Sequence, residues 1–302
     1  METLCSAGIV LAAAIWGFAF VVVKDSLAYV GAIWMIAIRF SIAAVLLLVI
    51  CCRRLKKLDA SYWKHGAVLG TLVFLAYVFQ TIGCDYTSAG KNAFLTSVYV
   101  ILVPLFSWPL TRKRPAWYVF LAAVVFFCGI GLVALKTGSG SLLEMNIGDV
   151  LTLACGIFYA VHIILIARYD EKEDPVLLSA LQFLFTALWA WLASPLITSP
   201  AVNRPLELEA LIKPGTVFSM LYLGVLSTML AYLLQNVCLK YVPASLGSLF
   251  MSLEAVFGVV FGMLFLHEEL SSRMLLGFAL IFAAILLAEV FPKWKKGTLR
   301  QE

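Results

Sequence analysis

Arg39 and Glu254 are the two charged side chains that stand well inside long apolar stretches of this chain, Arg39 about eight residues in and Glu254 near the middle of its stretch. An ionised group at mid-helix in a bilayer costs about 2.5–3.5 kcal/mol on the insertion scale. Groups that persist there face a cavity or a partner. Glu254 and His162 can both titrate in a cavity, which makes them candidates for proton coupling. Arg39, Gln80, Asn92, Gln235 and Glu254 can orient the polar groups of a bound solute. Trp16, Tyr77, Tyr99 and Tyr159 can offer it aromatic walls. Each residue also has a plainer reading. Arg39 can be a structural residue paired to helix-end carbonyls or a carboxylate, and Glu254 a neutral acid bonding its neighbour helix. His162 can be a packing residue, the two glutamines interhelical hydrogen bonds, and the tyrosines core.

These residues recur with a register. The stretch Tyr77–Leu135 lays over Tyr232–Val290 without a gap at a shift of 155, so that Tyr77, Gln80 and Tyr99 meet Tyr232, Gln235 and Glu254. A shift of about 143 sets Arg39-Phe40 against Gln182-Phe183, and one of about 142 sets Trp16-Gly17 against Phe158-Tyr159. Polar and amphipathic side chains thus return at matching depths. A duplicated membrane half is how many secondary transporters build a central site.

Composition agrees. Hydrophobic residues make up 63% of the 302 and charged ones 13%, against roughly a quarter charged in a soluble domain. A chain this apolar needs lipid as its solvent. The net charge of +5 lies in short loops rather than in a basic stripe, so no nucleic-acid partner is expected. The seven cysteines form no CxxC or Cys/His cluster, and neither metal nor cofactor is expected. There is no P-loop, His267-Glu268 lacks the second histidine of a zinc-protease helix, and no GxSxG occurs. An enzyme is therefore disfavoured. The N-terminal run, with Glu2 and no Lys or Arg before it, reads as a span and not as a cleavable signal.

A spanning helix needs about 20 apolar residues. The expected fold is an all-α integral membrane protein with ten transmembrane helices near 6–23, 31–52, 65–83, 92–110, 116–135, 147–167, 175–197, 214–234, 244–266 and 272–291. Placing the N-terminus in the cytoplasm puts fifteen Lys and Arg inside and six outside, which favours both termini inside. Five spans per repeat is an odd number, so the second copy enters the membrane inverted. The expected units are residues 1–140, a first five-helix repeat, and 141–302, a second repeat with a basic cytoplasmic tail. Trp34, Trp63, Trp108, Trp117 and Trp294 fit an interfacial belt. Pro104 is expected to kink the fourth span by removing a backbone hydrogen bond.

The pattern resembles the ten-helix EamA-type branch of the drug/metabolite transporter superfamily. The resemblance rests on Trp16-Gly17 followed by Lys24, on Arg39-Phe40, and on the segment from Thr87 to Val100 ending in Val103-Pro104. In the second half it rests on Ser252-Leu253-Glu254-Ala255-Val256 and Leu266-His267-Glu268-Glu269-Leu270-Ser271. It covers nearly the whole chain. It implies a basket of two inverted five-helix repeats around a cavity lined chiefly by spans other than the fifth and tenth. It also implies carriage of small metabolites, often export of amino acids, nucleobases or drugs. The chain departs from the family pattern at Ala255, where proline is common, and at basic Arg112 to Arg114, where a glutamate is common.

The function expected from the sequence is a secondary transporter of small organic solutes in the plasma or inner membrane, exporting by alternating access. A pathway closed within one chain is consistent with a monomer. The rival reading is a lipid or lipid-linked-sugar flippase, which needs a lateral opening and a basic headgroup pocket.

Overall fold

A computed structural model describes residues 2–112, 114–134, 145–169, 173–197, 199, 202–238, 241, 242 and 244–289. The expectations that fall on Lys113, on the junction of the two units at 140/141 and on the basic tail with Trp294 lie outside these residues. Among the described residues the regular elements are helices, with no strand. In chain order they are α1 (Glu2–Ser26), α2 (Ala32–Ile50), α3 (Ala60–Tyr86), α4 (Ala89–Thr96), α5 (Val98–Thr111), α6 (Trp117–Ala134) and α7 (Ile147–Tyr169). There follow α8 (Pro175–Ala193), a short α9 (Leu208–Leu211), α10 (Pro214–Leu221), α11 (Ala231–Cys238), α12 (Ala244–Leu266) and α13 (Ser272–Glu289). A 3-10 turn, Cys52–Lys57, follows α2, and a π-helical stretch, Tyr222–Leu230, joins α10 to α11.

Among the described residues, seven helical stretches are long and apolar enough to cross a membrane, and three shorter apolar ones join them: Trp117–Val133, Phe250–Leu266 and Ser272–Ala288. The three short ones fall where the fifth, ninth and tenth spans are expected. Several long helices outrun their expected limits: α1 covers Glu2–Ser26 against 6–23, and α3 covers Ala60–Tyr86 against 65–83. Asp59 caps α3 through the amide of Tyr62, and Asp174 caps α8 through those of Val176 and Leu177, with Pro175 at the first helical position.

The fourth span is not one helix kinked at Pro104. It breaks at Ser97, between α4 and α5, while Pro104 and Pro109 lie inside α5. Ser97 sits at ψ −1°, and both its amide and its hydroxyl turn back to the carbonyl of Phe94. A local side-chain bond therefore ends the α-helical ladder before either proline is reached. The eighth span differs too: its π-helical middle was not anticipated.

α1 packs along α12, α3 along α7 and α8, α2 along α8, and α6 along α13. Small residues allow the closest approaches. A Cβ on Gly66 or Gly70 would come within 2.6 Å of Leu181 or Phe185 on α8, and one on Gly258 within 2.5 Å of Ala93 on α4. Such contacts let backbones meet in lipid, where no hydrophobic effect drives helices together. Buried clusters join α2, α3 and α8 around Phe40 and Phe183, and α4, α5, α6, α12 and α13 around Phe126 and Ile281. Of the described tryptophans expected at the interface, Trp63, Trp108 and Trp117 are exposed, and Trp34 packs edge-on against Trp191.

Candidate functional site

All ten residues singled out from the sequence line one internal cavity of about 360 Å³. Eight helices carry them: Trp16 is on α1, Arg39 on α2, Tyr77 and Gln80 on α3, Tyr159 and His162 on α7, and Gln235 on α11. α4 and α5 bring Asn92 and Tyr99, and α12 brings Glu254. The positions matched at a shift of 155, Tyr77 with Tyr232, Gln80 with Gln235 and Tyr99 with Glu254, all face this one space.

Its walls are aromatic. Trp16 and Tyr232 meet edge-on at 5.4 Å, Tyr77 and Tyr159 at 5.9 Å, and Tyr99 and Tyr159 at 6.2 Å. Trp16 is held by its indole N–H, which donates to the Ser227 carbonyl at 2.8 Å. Gln80 donates to the Thr96 hydroxyl and accepts from the Tyr159 hydroxyl. Asn92, fully buried, donates to the Gln80 carbonyl and to the Thr152 hydroxyl. This amide and hydroxyl network ties α3, α4 and α7 side by side along the cavity.

The ionisable residues differ in their surroundings. Arg39 reaches the π-helical stretch, donating to the hydroxyls of Ser227 and Thr228. His162 is buried with Nε2 2.8 Å from Gln182 Oε1. Among the described residues, no hydrogen bond or ion pair reaches the carboxyl of Glu254, a partly exposed side chain on the cavity wall. Gln235 has its amide 3.2 Å from the Met251 sulfur.

The cavity ends differently in its two directions. Toward the C-terminus of α7 its lining continues to Ile163, Ile166 and Ala167. Toward the N-terminus of α7 it is closed by ties between helices. Lys91 pairs with fully buried Asp149 at 2.7 Å, and the Thr87 hydroxyl donates to the same carboxylate at 2.6 Å. The Glu268 carboxylate accepts from the amides of Ala89 and Gly90, the first turn of α4. Those N–H groups have no partner within the helix, and a carboxylate also suits the positive end of the helix dipole. His267, at φ 53°, turns the chain back so that Glu268 reaches them. Lys24 donates to the carbonyls of Cys84 and Asp85 at the end of α3. At the opposite end the ties are at the rim: His65 with Glu173 at 2.6 Å, and exposed Arg54 with Asp174.

Ser227, Thr228, Thr96, Tyr232 and Asp149 belong to this arrangement and were not singled out as site residues. Tyr232 had a signal in its match to Tyr77. The hydroxyls and Asp149 had none, because Ser and Thr are ordinary in membrane helices and Asp149 lies near a helix end, where an acid looks solvated.

The chain matches the model of a family described as "EamA-like transporter family" over residues 4–135 and 146–289. An uncharacterized transporter of Archaeoglobus fulgidus is 33% identical over 288 residues, 94% of this chain and 85% of that protein. The uncharacterized transporter YvbV of Bacillus subtilis is 24% identical over 93% of this chain and 90% of its own. A solved crystal structure superposes with a TM-score of 0.66 at 15% identity, covering 96% of this chain and 98% of that one. At that identity it speaks for the fold alone.

Proposed function

From the premise that the chain belongs to the EamA-like transporter family, a family of multi-pass membrane proteins, we propose that it is a secondary transporter exporting small organic solutes by alternating access. Amino acids, nucleobases and drug-like compounds are the solute classes to test. The observation that carries this reading is the single cavity on which all ten candidate residues converge. Trp16, Tyr77, Tyr99 and Tyr159 hold the apolar body of the solute. Arg39, Gln80, Asn92, Gln235 and Glu254 orient its polar groups, and Glu254 or His162 carries the coupled proton.

The proposal includes ten spans in two inverted repeats, residues 1–140 and 141–302. The helix pairings support it. Exchange α1 with α7, α2 with α8, α3 with the α10–α11 span, the α4–α5 span with α12, and α6 with α13. The contact of α1 with α12 becomes that of α7 with α4 and α5, and the contact of α3 with α7 becomes that of α11 with α1. The pairs α2–α8 and α6–α13 map onto themselves. Matched residues also meet each other: Phe40 lies edge-on to Phe183 at 5.6 Å. Residues on a two-fold axis must do this. With both termini in the cytoplasm, the end tied by Glu268 faces outward and the cavity extends toward the cytoplasm. The reading places the chain in the plasma or inner membrane as a functional monomer.

The test is a thermal-shift screen of the purified protein with amino acids, nucleobases, polyamines, sugars and cationic drugs, followed by counterflow exchange in proteoliposomes. A ligand at 100 times its Kd stabilises the native state by about 2.7 kcal/mol. The expected hit exchanges across the membrane and is lost in Tyr99→Ala. Lipid scrambling without solute exchange would overturn the reading in favour of a flippase.

A further inference from the structure

Arg39 is 3% exposed and lies inside a spanning helix, yet its polar neighbours are neutral. Its Nε–H donates to Thr228 Oγ1 at 3.1 Å, and Nη2 donates to Ser227 Oγ at 3.1 Å and Thr228 Oγ1 at 3.0 Å. Its guanidinium carbon stands 4.8 Å from the centre of the Tyr77 ring and 5.6 Å from that of Phe40. None of the salt bridges among the described residues includes it. A guanidinium has five N–H donors, so three are used and the two on Nη1 remain. Nη1 is not among the buried polar atoms that lack a partner, and Arg39 lines the cavity. The two Nη1 donors are thus the ones left for an occupant of the cavity.

The seat of this cation is specific. The π-helical stretch brings two successive hydroxyls onto one side chain, with Thr228 Oγ1 also donating to the Leu223 carbonyl five residues back. The Ser227 carbonyl is taken by Trp16. Gly224 lets the stretch approach α2, where a Cβ would fall 2.8 Å from Ile42. Arg39 is thus held by three bonds that leave its charge uncompensated. Lys91 and Lys24, at the tied end, are satisfied by Asp149 and by carbonyls and do not line the cavity. Charge left without a counter-ion in a low-dielectric site is costly, and an arriving anion recovers that cost.

We infer that the transported solute is an organic carboxylate whose carboxyl group docks on Arg39 Nη1 while its apolar body lies among Trp16, Tyr77, Tyr159 and Tyr232. This rests on the transport reading above. A volume of about 360 Å³ holds a small acid with a planar body, at the lower end of the roughly 300–1,000 Å³ of ligand pockets.

The experiment compares near-isosteres of different charge on the purified full chain: phenylacetate, phenylacetamide and phenethylamine, with hexanoate and indole-3-propionate to vary the body. Binding is read by thermal shift and transport by counterflow in proteoliposomes. At least one carboxylate is expected to bind 10-fold or more tighter than its amide, and Arg39→Gln to bring that ratio near one. Arg39→Lys, which keeps the charge and loses the fork, should fall between. Equal binding of acid and amide, preference for the amine, or a blank across the carboxylates overturns the inference. The wild-type ratio decides it even if the Arg39 variants do not fold. Exchange of neutral or cationic solutes alone refutes the carboxylate and leaves transport standing. Carboxylate binding without exchange does the reverse.

Discussion

Arg39 and Gln182 hold the same register in the two halves of the chain, each followed by a phenylalanine, and the two phenylalanines touch. Their chemistry has diverged. Arg39 lines the cavity with donors to spare, whereas Gln182 is fully buried against His162, and its Nε2 has no partner. The same contrast runs along the molecule. Tyr99 in the first half meets Glu254 in the second, and Glu268, which ties the start of α4, is matched in sequence by Lys113. On the proposed two-repeat reading, matched positions share a depth, but the side chains decide what each wall can bind, titrate or close.

Breaking the wall that carries the charge should have the largest effect. Arg39→Gln is expected to slow counterflow of the bound solute by about 10-fold or more, the size of one lost charged contact of roughly 1.4 kcal/mol or above. Gln182→Ala should leave exchange within about 2-fold and act on stability instead, lowering it by about 1–2 kcal/mol through the unpaired His162. Equal losses of exchange in both variants would erase the distinction between the walls.

Next comes the pair Tyr99 and Glu254. Glu254→Gln should abolish accumulation driven by a proton gradient while sparing exchange, because the neutral amide keeps the shape and loses the proton. Tyr99→Phe should leave the gradient response intact. Full gradient-driven accumulation in Glu254→Gln would remove it as the proton site and turn attention to His162.

The tied end offers a smaller, structural readout. Cys84 lines the cavity beside the Lys24 ties and is 1% exposed. In a protein whose exposed Cys52 and Cys128 are replaced by serine, Glu268→Gln should raise Cys84 labelling by an impermeant thiol reagent. About 5-fold is expected, corresponding to roughly 1 kcal/mol lost from a charge-assisted cap. An unchanged rate would mean that Asp149 and Lys24 hold this end without Glu268.

Packing between the halves gives the finest comparison. Gly258→Val forces α12 away from Ala93 on α4 and should cost about 1–3 kcal/mol. Gly215→Ala, which meets nothing within 4 Å, should be neutral or stabilise α10 by up to about 1 kcal/mol. Unfolding in detergent measures both. A neutral Gly258→Val would mean that α12 and α4 are not held in close contact.

Residue order alone carries the apolar helices, the lipid solvent they need, and the ten polar and aromatic side chains that line the cavity. These properties are local or periodic: hydropathy is read residue by residue, and the shifts of 155 and 143 compare short windows. Their surroundings come from the packing of distant helices. The partners of Arg39 lie 188 and 189 residues away on a π-helical stretch with no sequence mark. The fourth span breaks at Ser97 because a hydroxyl bonds the Phe94 carbonyl, a contact that hydropathy does not weigh against two nearby prolines. Glu268 and Asp149 carry no mark of a partner in the sequence, and folding set them against an amide pair and a lysine. Hydrophobic patterning decides which segments leave water. Where their few polar atoms find partners depends on helices brought together from distant parts of the chain.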